Sequence, residues 1–165
     1  MHAAVEEITE LHRHIEAWLR GEADPGTLAD FLGMLTPGFR LHAPGGDVVD
    51  ASDLEKGFPS AHGSAPGLVL TIREPFVVAE GGGGDGGVVV AAYEEHQESP
   101  KERSVRRCTV VFVRDASARH GLRWHHLHET WIVAPEDGDA PPPGAGGLRT
   151  RAAGGCGAER AMVSR

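Results

Sequence analysis

The sequence predicts an α+β domain, with N-terminal helices packed on one face of a strongly curved, mostly antiparallel sheet. Three observations carry this expectation. Near the start of the chain, apolar residues recur at three- and four-residue steps. Four alternating segments then follow between residues 68 and 133. Turn-forming stretches rich in Gly, Pro and Ser separate those segments closely enough for hairpins. Helices gathered ahead of a meander of strands are the α+β pattern.

Each element can be justified in order. Val5, Ile8, Leu11, Ile15, Trp18 and Leu19 mark a helix over residues 3–20, and Glu6, Glu7, Glu10, Arg13 and Glu16 fill its other face. Acids toward the N-terminus suit the helix dipole, and Gly21 stops the helix. Asp24-Pro25 opens a shorter helix with Leu28, Phe31, Leu32 and Leu35 as its apolar stripe, ended by Pro37-Gly38. Phe39-Arg40-Leu41-His42 alternates as a short strand, and Val48-Val49 is a second one. Ser52 is the expected N-cap of a brief helix over residues 53–60, with Glu55 completing a capping box. Long strands are expected over residues 68–80 (bulged or at an edge because of Pro75), 88–98, 103–115 and 122–133. The GGGGDGG run joining the first two lacks the Lys-Ser/Thr of a phosphate-binding loop and reads as a hairpin connection. Residues 1–134 form the expected domain, and the Pro/Gly/Ala-rich stretch 135–165 an expected disordered tail.

Composition narrows the function. The four acids and four arginines from Pro135 onward cancel, so the whole net charge of −8 lies in residues 1–134. An acidic domain with no basic stripe excludes a nucleic-acid backbone as partner. No apolar run reaches the length of a membrane span, and the acidic, amphipathic start of the chain is not patterned as a signal peptide. Cys108 lies in an apolar strand pattern and Cys156 in the tail, a poor disulfide pair. A reducing, cytoplasmic setting is expected, and the Ala/Gly/Arg bias suggests a bacterial source.

The chemistry is concentrated in Trp124-His125-His126-Leu127-His128-Glu129-Thr130-Trp131. Strict alternation puts Trp124, His126, His128 and Thr130 on one face, and His125, Leu127, Glu129 and Trp131 on the other. His126 and His128 then stand roughly 7 Å apart at Cα. That spacing allows a shared ligand or acid/base work, since imidazole titrates near neutrality. A metal would need further ligands from His42, Glu95 or His96, and no recognised spacing supports one, so neither metal nor cofactor is expected. In the middle strands, Tyr93, Glu95 and Gln97 share one face and Glu94, His96 and Glu98 the other. A carboxylate inside an apolar shell would have a raised pKa and could act as a base; on the outside it would be solvated or paired with Arg73, Arg106 or Arg107.

The order of elements resembles the nuclear transport factor 2-like superfamily, also called SnoaL-like. The resemblance spans residues 3–134 and rests on three patterns. They are Trp18-Leu19-Arg20-Gly21 leading to Thr36-Pro37-Gly38-Phe39, Tyr93-Glu94-Glu95-His96-Gln97 in the meander, and the closing His-x-His-x-Thr strand. It implies a cone-shaped α+β barrel with a pocket between helices and sheet. Ketosteroid isomerase-like members carry an acidic base where this chain has Ala43, and a tyrosine late in the first helix where it has none. The expected function is therefore binding of a small organic molecule. Any reaction would be cofactor-independent acid/base chemistry by His126, His128, Glu95 or His42, with Trp124, Thr130 and Tyr93 against the ligand. A non-catalytic dimerisation or accessory domain is the alternative, and a homodimer through the sheet face is expected in either case.

Overall fold

The computed structural model describes residues 1–136; most of the expected tail lies outside them. The chain forms α1 (Ala3–Arg20), a 3-10 turn, α2 (Leu28–Gly33), β1 (Leu35–His42), β2 (Val48–Asp50) and α3 (Ala51–Gly57). It continues through β3 (Val69–Gly81), β4 (Val88–Glu98), β5 (Arg103–Arg114) and β6 (Leu122–Val133). One six-stranded sheet results, in the order β2-β1-β6-β5-β4-β3. Every neighbouring pair is antiparallel except β1 with β6. Three helices on one face of this curled, mostly antiparallel sheet are the expected α+β architecture. Among the described residues, no helix is long and apolar enough to cross a membrane.

α1 buries Ile8, Leu11, Ile15, Trp18 and Leu19 as its spacing requires, and ends at Gly21 in the left-handed region, φ 78°. Two polar residues join that buried stripe. Glu7 and His12 are 1% and 2% exposed, so Glu7 does not lie on the solvent face where the pattern put it. The helix is held down by an aromatic stack. Phe31 of α2 lies 4.2 Å from Phe58, Phe58 lies 5.4 Å from Trp18, and the Trp18 indole N–H donates to the Phe58 carbonyl at 2.8 Å.

The structure corrects two helix boundaries. α2 stops at Gly33, and Leu35 begins β1 instead of extending the helical stripe. The Met34 carbonyl accepts from the Trp124 N–H at 2.8 Å, which commits the chain to the sheet there. α3 begins at Ala51 with Asp50, not Ser52, as its N-cap. The Asp50 carboxylate accepts from the Asp53 N–H at 2.9 Å, and Asp53 accepts from the Asp50 N–H at 3.1 Å, so the capping box lies two residues earlier than expected.

Bulges decide which side chains face the helices. β3 is irregular around Glu74-Pro75, as the proline implied, with Glu74 at φ 49°. On β6, Trp124 pairs with Phe112 of β5 and His126 with Val111, which leaves His125 without a partner. The same kind of shift leaves Ile132 unpaired between Trp131 and Val133.

Candidate functional site

Strand register lays polar side chains across the inner face in rows. Tyr93, Cys108 and Glu129 are aligned on β4, β5 and β6, and Glu95, Arg106 and Trp131 form the row beside them. Tyr93, Glu95, Arg106 and Glu129 are each at most 1% exposed. α1 lays His12 over them.

The hydrogen bonds bias the protonation states. The His12 Nδ1 lies 2.7 Å from the Ile8 carbonyl, and its Nε2 lies 3.0 Å from Glu95 Oε2. Both partners accept while Glu95 is ionised, so the site favours the form of His12 that donates from both nitrogens, the imidazolium. Burial opposes that charge, but the Glu95 carboxylate overcomes it and raises the His12 pKa. Glu95 itself is pushed up by burial, yet Arg106, His12 and the Gln97 amide (2.5 Å) bring it down to about 2. Glu129 accepts from Arg106 Nη1 at 3.1 Å. Burial dominates at this carboxyl, the Glu95 charge adds to it, and the pKa rises to about 7 despite Arg106. One carboxylate is thus locked in its charged form, and its neighbour is poised to exchange a proton near neutral pH. Cys108 and Tyr93 are pushed well up by burial and by the nearby carboxylates, so they stay a thiol and a phenol.

Several buried polar atoms in this cluster have no partner among the described residues. They are Arg106 Nε and Nη2, Glu129 Oε1 and Gln97 Oε1, and the Tyr93 hydroxyl has only the weakly bonding Cys108 thiol beside it. Each such atom costs about 1–3 kcal/mol if left unbonded. The Arg106 guanidinium also stacks on Trp131, 4.9 Å from the ring centre. The ligating atoms of Glu95, Cys108 and Glu129 lie within 4.8 Å of one another, but Arg106 already supplies the cation for those carboxylates.

Nearer the helices, Trp124 Nε1 donates to Glu7 Oε1 at 3.1 Å. Glu7 lines a cleft of about 270 Å³ together with Asp30, Met34, Arg119 and Arg123. Burial raises the Glu7 pKa, and the Trp124 hydrogen bond only partly offsets this.

Of the residues singled out in the sequence, Glu95, Tyr93 and Trp124 are therefore inside. His126, His128 and Thr130 are on the opposite face, and so is His42 on the adjoining β1. This corrects the expectation that Trp124, His126, His128 and Thr130 share one face. The unpaired His125 shifts the alternation by one, so Trp124 points in and Leu127, Glu129 and Trp131 follow it there. Glu129 finds an arginine partner, Arg106, inside the fold. On the outside, Glu94 is bonded to Arg107 at 2.7 Å. His12, Arg106 and Glu129 were missed as a site. A histidine at the i+4 position from Ile8, within an apolar helical stripe, was the available signal.

Comparison with known proteins places this arrangement. No family model matches the sequence, and neither does any curated protein. Among solved structures, an NTF2-like protein of unknown function from Pseudomonas aeruginosa is 34% identical, with a TM-score of 0.70 over 79% of this chain and 98% of that one. The chain belongs to the NTF2-like family. A ketosteroid isomerase-like protein from Shewanella frigidimarina shares the NTF2-like fold at 18% identity, with a TM-score of 0.57 over 78% of this chain and 94% of that one. So does the CaMKII hub of S. rosetta, at 20% identity and a TM-score of 0.53, over 79% and 95% of the two chains. Within the NTF2-like cone, the polar rows around Glu95 and Arg106 lie between α1 and the sheet.

Proposed function

We propose that this NTF2-like domain binds a small organic molecule carrying a carbonyl or carboxylate oxygen against Arg106, Tyr93 and Glu129. The observation that carries the reading is the group of buried donors and acceptors left without partners in one patch. Native interiors rarely leave such a patch without water, an ion or a guest. The two unpartnered guanidinium nitrogens, Nε and Nη2, suit an oxygen acceptor. Glu129, near neutrality, would give or take the proton, while Glu95 and the His12 imidazolium hold Arg106 and its surroundings in place. Ala43 and the tyrosine-free α1 argue that the proton transfer runs through these groups, not through those of ketosteroid isomerase-like relatives.

The test is a thermal-shift screen of the wild-type chain against short aliphatic and aromatic carboxylic acids and ketones. At a hundredfold excess over Kd, a bound ligand adds about 2.7 kcal/mol of stability, which a melting curve resolves. The same compound should lose most of its effect on Glu129→Gln and on Tyr93→Phe. A screen with no hit, or a hit that both variants keep in full, would overturn the reading.

A second reading concerns assembly. The sheet face away from the helices exposes Phe76 by 56% and Val69 by 46%, apolar area that a second copy could cover. We infer a homodimer through this face. Sedimentation at tens of micromolar (roughly where a standard-size interface holds) should show dimer, and Phe76→Glu should show monomer. A monomeric wild type refutes it.

A further inference from the structure

We propose that His42, His126 and His128 form a binding site for a borderline divalent transition metal, zinc foremost, on the outer sheet face. The strands bring them together. His42 on β1 is the register partner of His128, and Arg40, two residues earlier, is the partner of His126. The His42 ring lies 5.0 Å from that of His126 and 5.9 Å from that of His128, centre to centre. Two imidazoles bound tetrahedrally to one zinc, with Zn–N about 2.0–2.1 Å, have ring centres about 5 Å apart. The two measured separations are of that order; the three rings do not yet have their nitrogens within 4.8 Å of one another, so their side chains must rotate to close on one ion.

The nitrogens are also free. None of the three rings has a hydrogen-bond partner among the described residues. The neighbouring His125 differs, because its Nδ1 is 2.8 Å from the Thr36 hydroxyl. Imidazole sets select zinc, copper or nickel over calcium or magnesium. The charged neighbour on this face, Arg40, lies opposite Asp50, whose carboxylate offsets it. Across on β5 the register partners are Thr109 and Val111, both neutral. Three histidines leave a fourth position for water or, where two copies meet on this face, for a group of the second copy. This site shares no side chain with the Arg106 cluster, so either can fail without the other.

The experiment is titration of the untagged full chain with zinc chloride by calorimetry, and with cobalt chloride by visible absorption. One ion per chain is expected, with the intense cobalt bands of tetrahedral nitrogen coordination. His42→Ala and His128→Ala should each weaken binding by at least about a hundredfold, since even partners of metal ligands are worth 10–100-fold. His125→Ala should leave the affinity unchanged. Cys108→Ser should also have no effect, and a loss there would move the ion to the interior cluster and overturn the proposal. No binding by the wild type, or binding untouched in His42→Ala, would overturn it equally.

Discussion

Replacing Arg106 with methionine is expected to lower the stability of the domain by about 3–5 kcal/mol at neutral pH, because breaking a buried ion pair strands its partner. Two buried carboxyls, Glu95 and Glu129, share this guanidinium. Methionine replaces most of the apolar stem and still covers Trp131, so the loss comes from charge left behind and not from a cavity. Two consequences separate these causes. The double variant Arg106→Met/Glu129→Gln should recover a large part of the loss. The single variant should suffer less at pH 5 than at pH 7.5, because Glu129 can then take a proton. Urea midpoints measure both. A single-variant loss below about 1 kcal/mol would be the value of a solvated surface pair, not of a buried one.

The second large effect is a stability maximum on the acid side of neutrality. Glu95 has a folded pKa near 2, below its ordinary 4.5, so its contribution is complete above pH 4.5 and is lost as pH falls toward 2. Glu129 behaves in the opposite sense. Its folded pKa is near 7, so its contribution is complete below pH 4.5 and is lost as pH rises to about 7. His12, raised above 6.5, adds to the alkaline loss, since its contribution is complete below 6.5 and disappears as pH passes its folded value. Each carboxyl accounts for on the order of 3 kcal/mol. Melting temperature should therefore peak near pH 5 and decline toward pH 8, and Glu129→Gln should flatten the decline between pH 5 and 7. A melting temperature that rises from pH 5 to 8 would contradict the assignment.

The fold was legible because its signals are periodic and long. The α1 stripe and the strands at 88–98 and 122–133 follow directly from spacing, since burial of one face imposes that spacing. The site was only half legible. Glu95 and Tyr93 lie on a strand without bulges, so alternation placed them together and the interior took that face. His126, His128 and Thr130 lie beyond an unpaired residue, and no local feature of Trp124-His125-His126 marks one there. The bulge belongs to pairing with β1 and β5, in which Leu35 aligns with Trp124 but Arg40 with His126. Arg106 and Glu129 were visible as charges within apolar alternation. Their meeting inside the cone required knowing which face was covered, and one residue of register decides that.

The parallel pairing of β1 with β6 has a kinetic consequence. His42 and His128 are 86 positions apart, whereas β3 to β6 are linked by successive hairpins. Closing a long loop costs more entropy than closing a short one, and non-local parallel pairing is slow. The meander should therefore assemble first, and β1, carrying β2, should add afterwards. Leu41→Ala, at the buried centre of this seam, should speed unfolding and leave the folding rate almost unchanged. A slowed folding rate would instead place the seam in the nucleus. The outer histidines straddle it, so the surface they share does not exist until the sheet has made its longest closure.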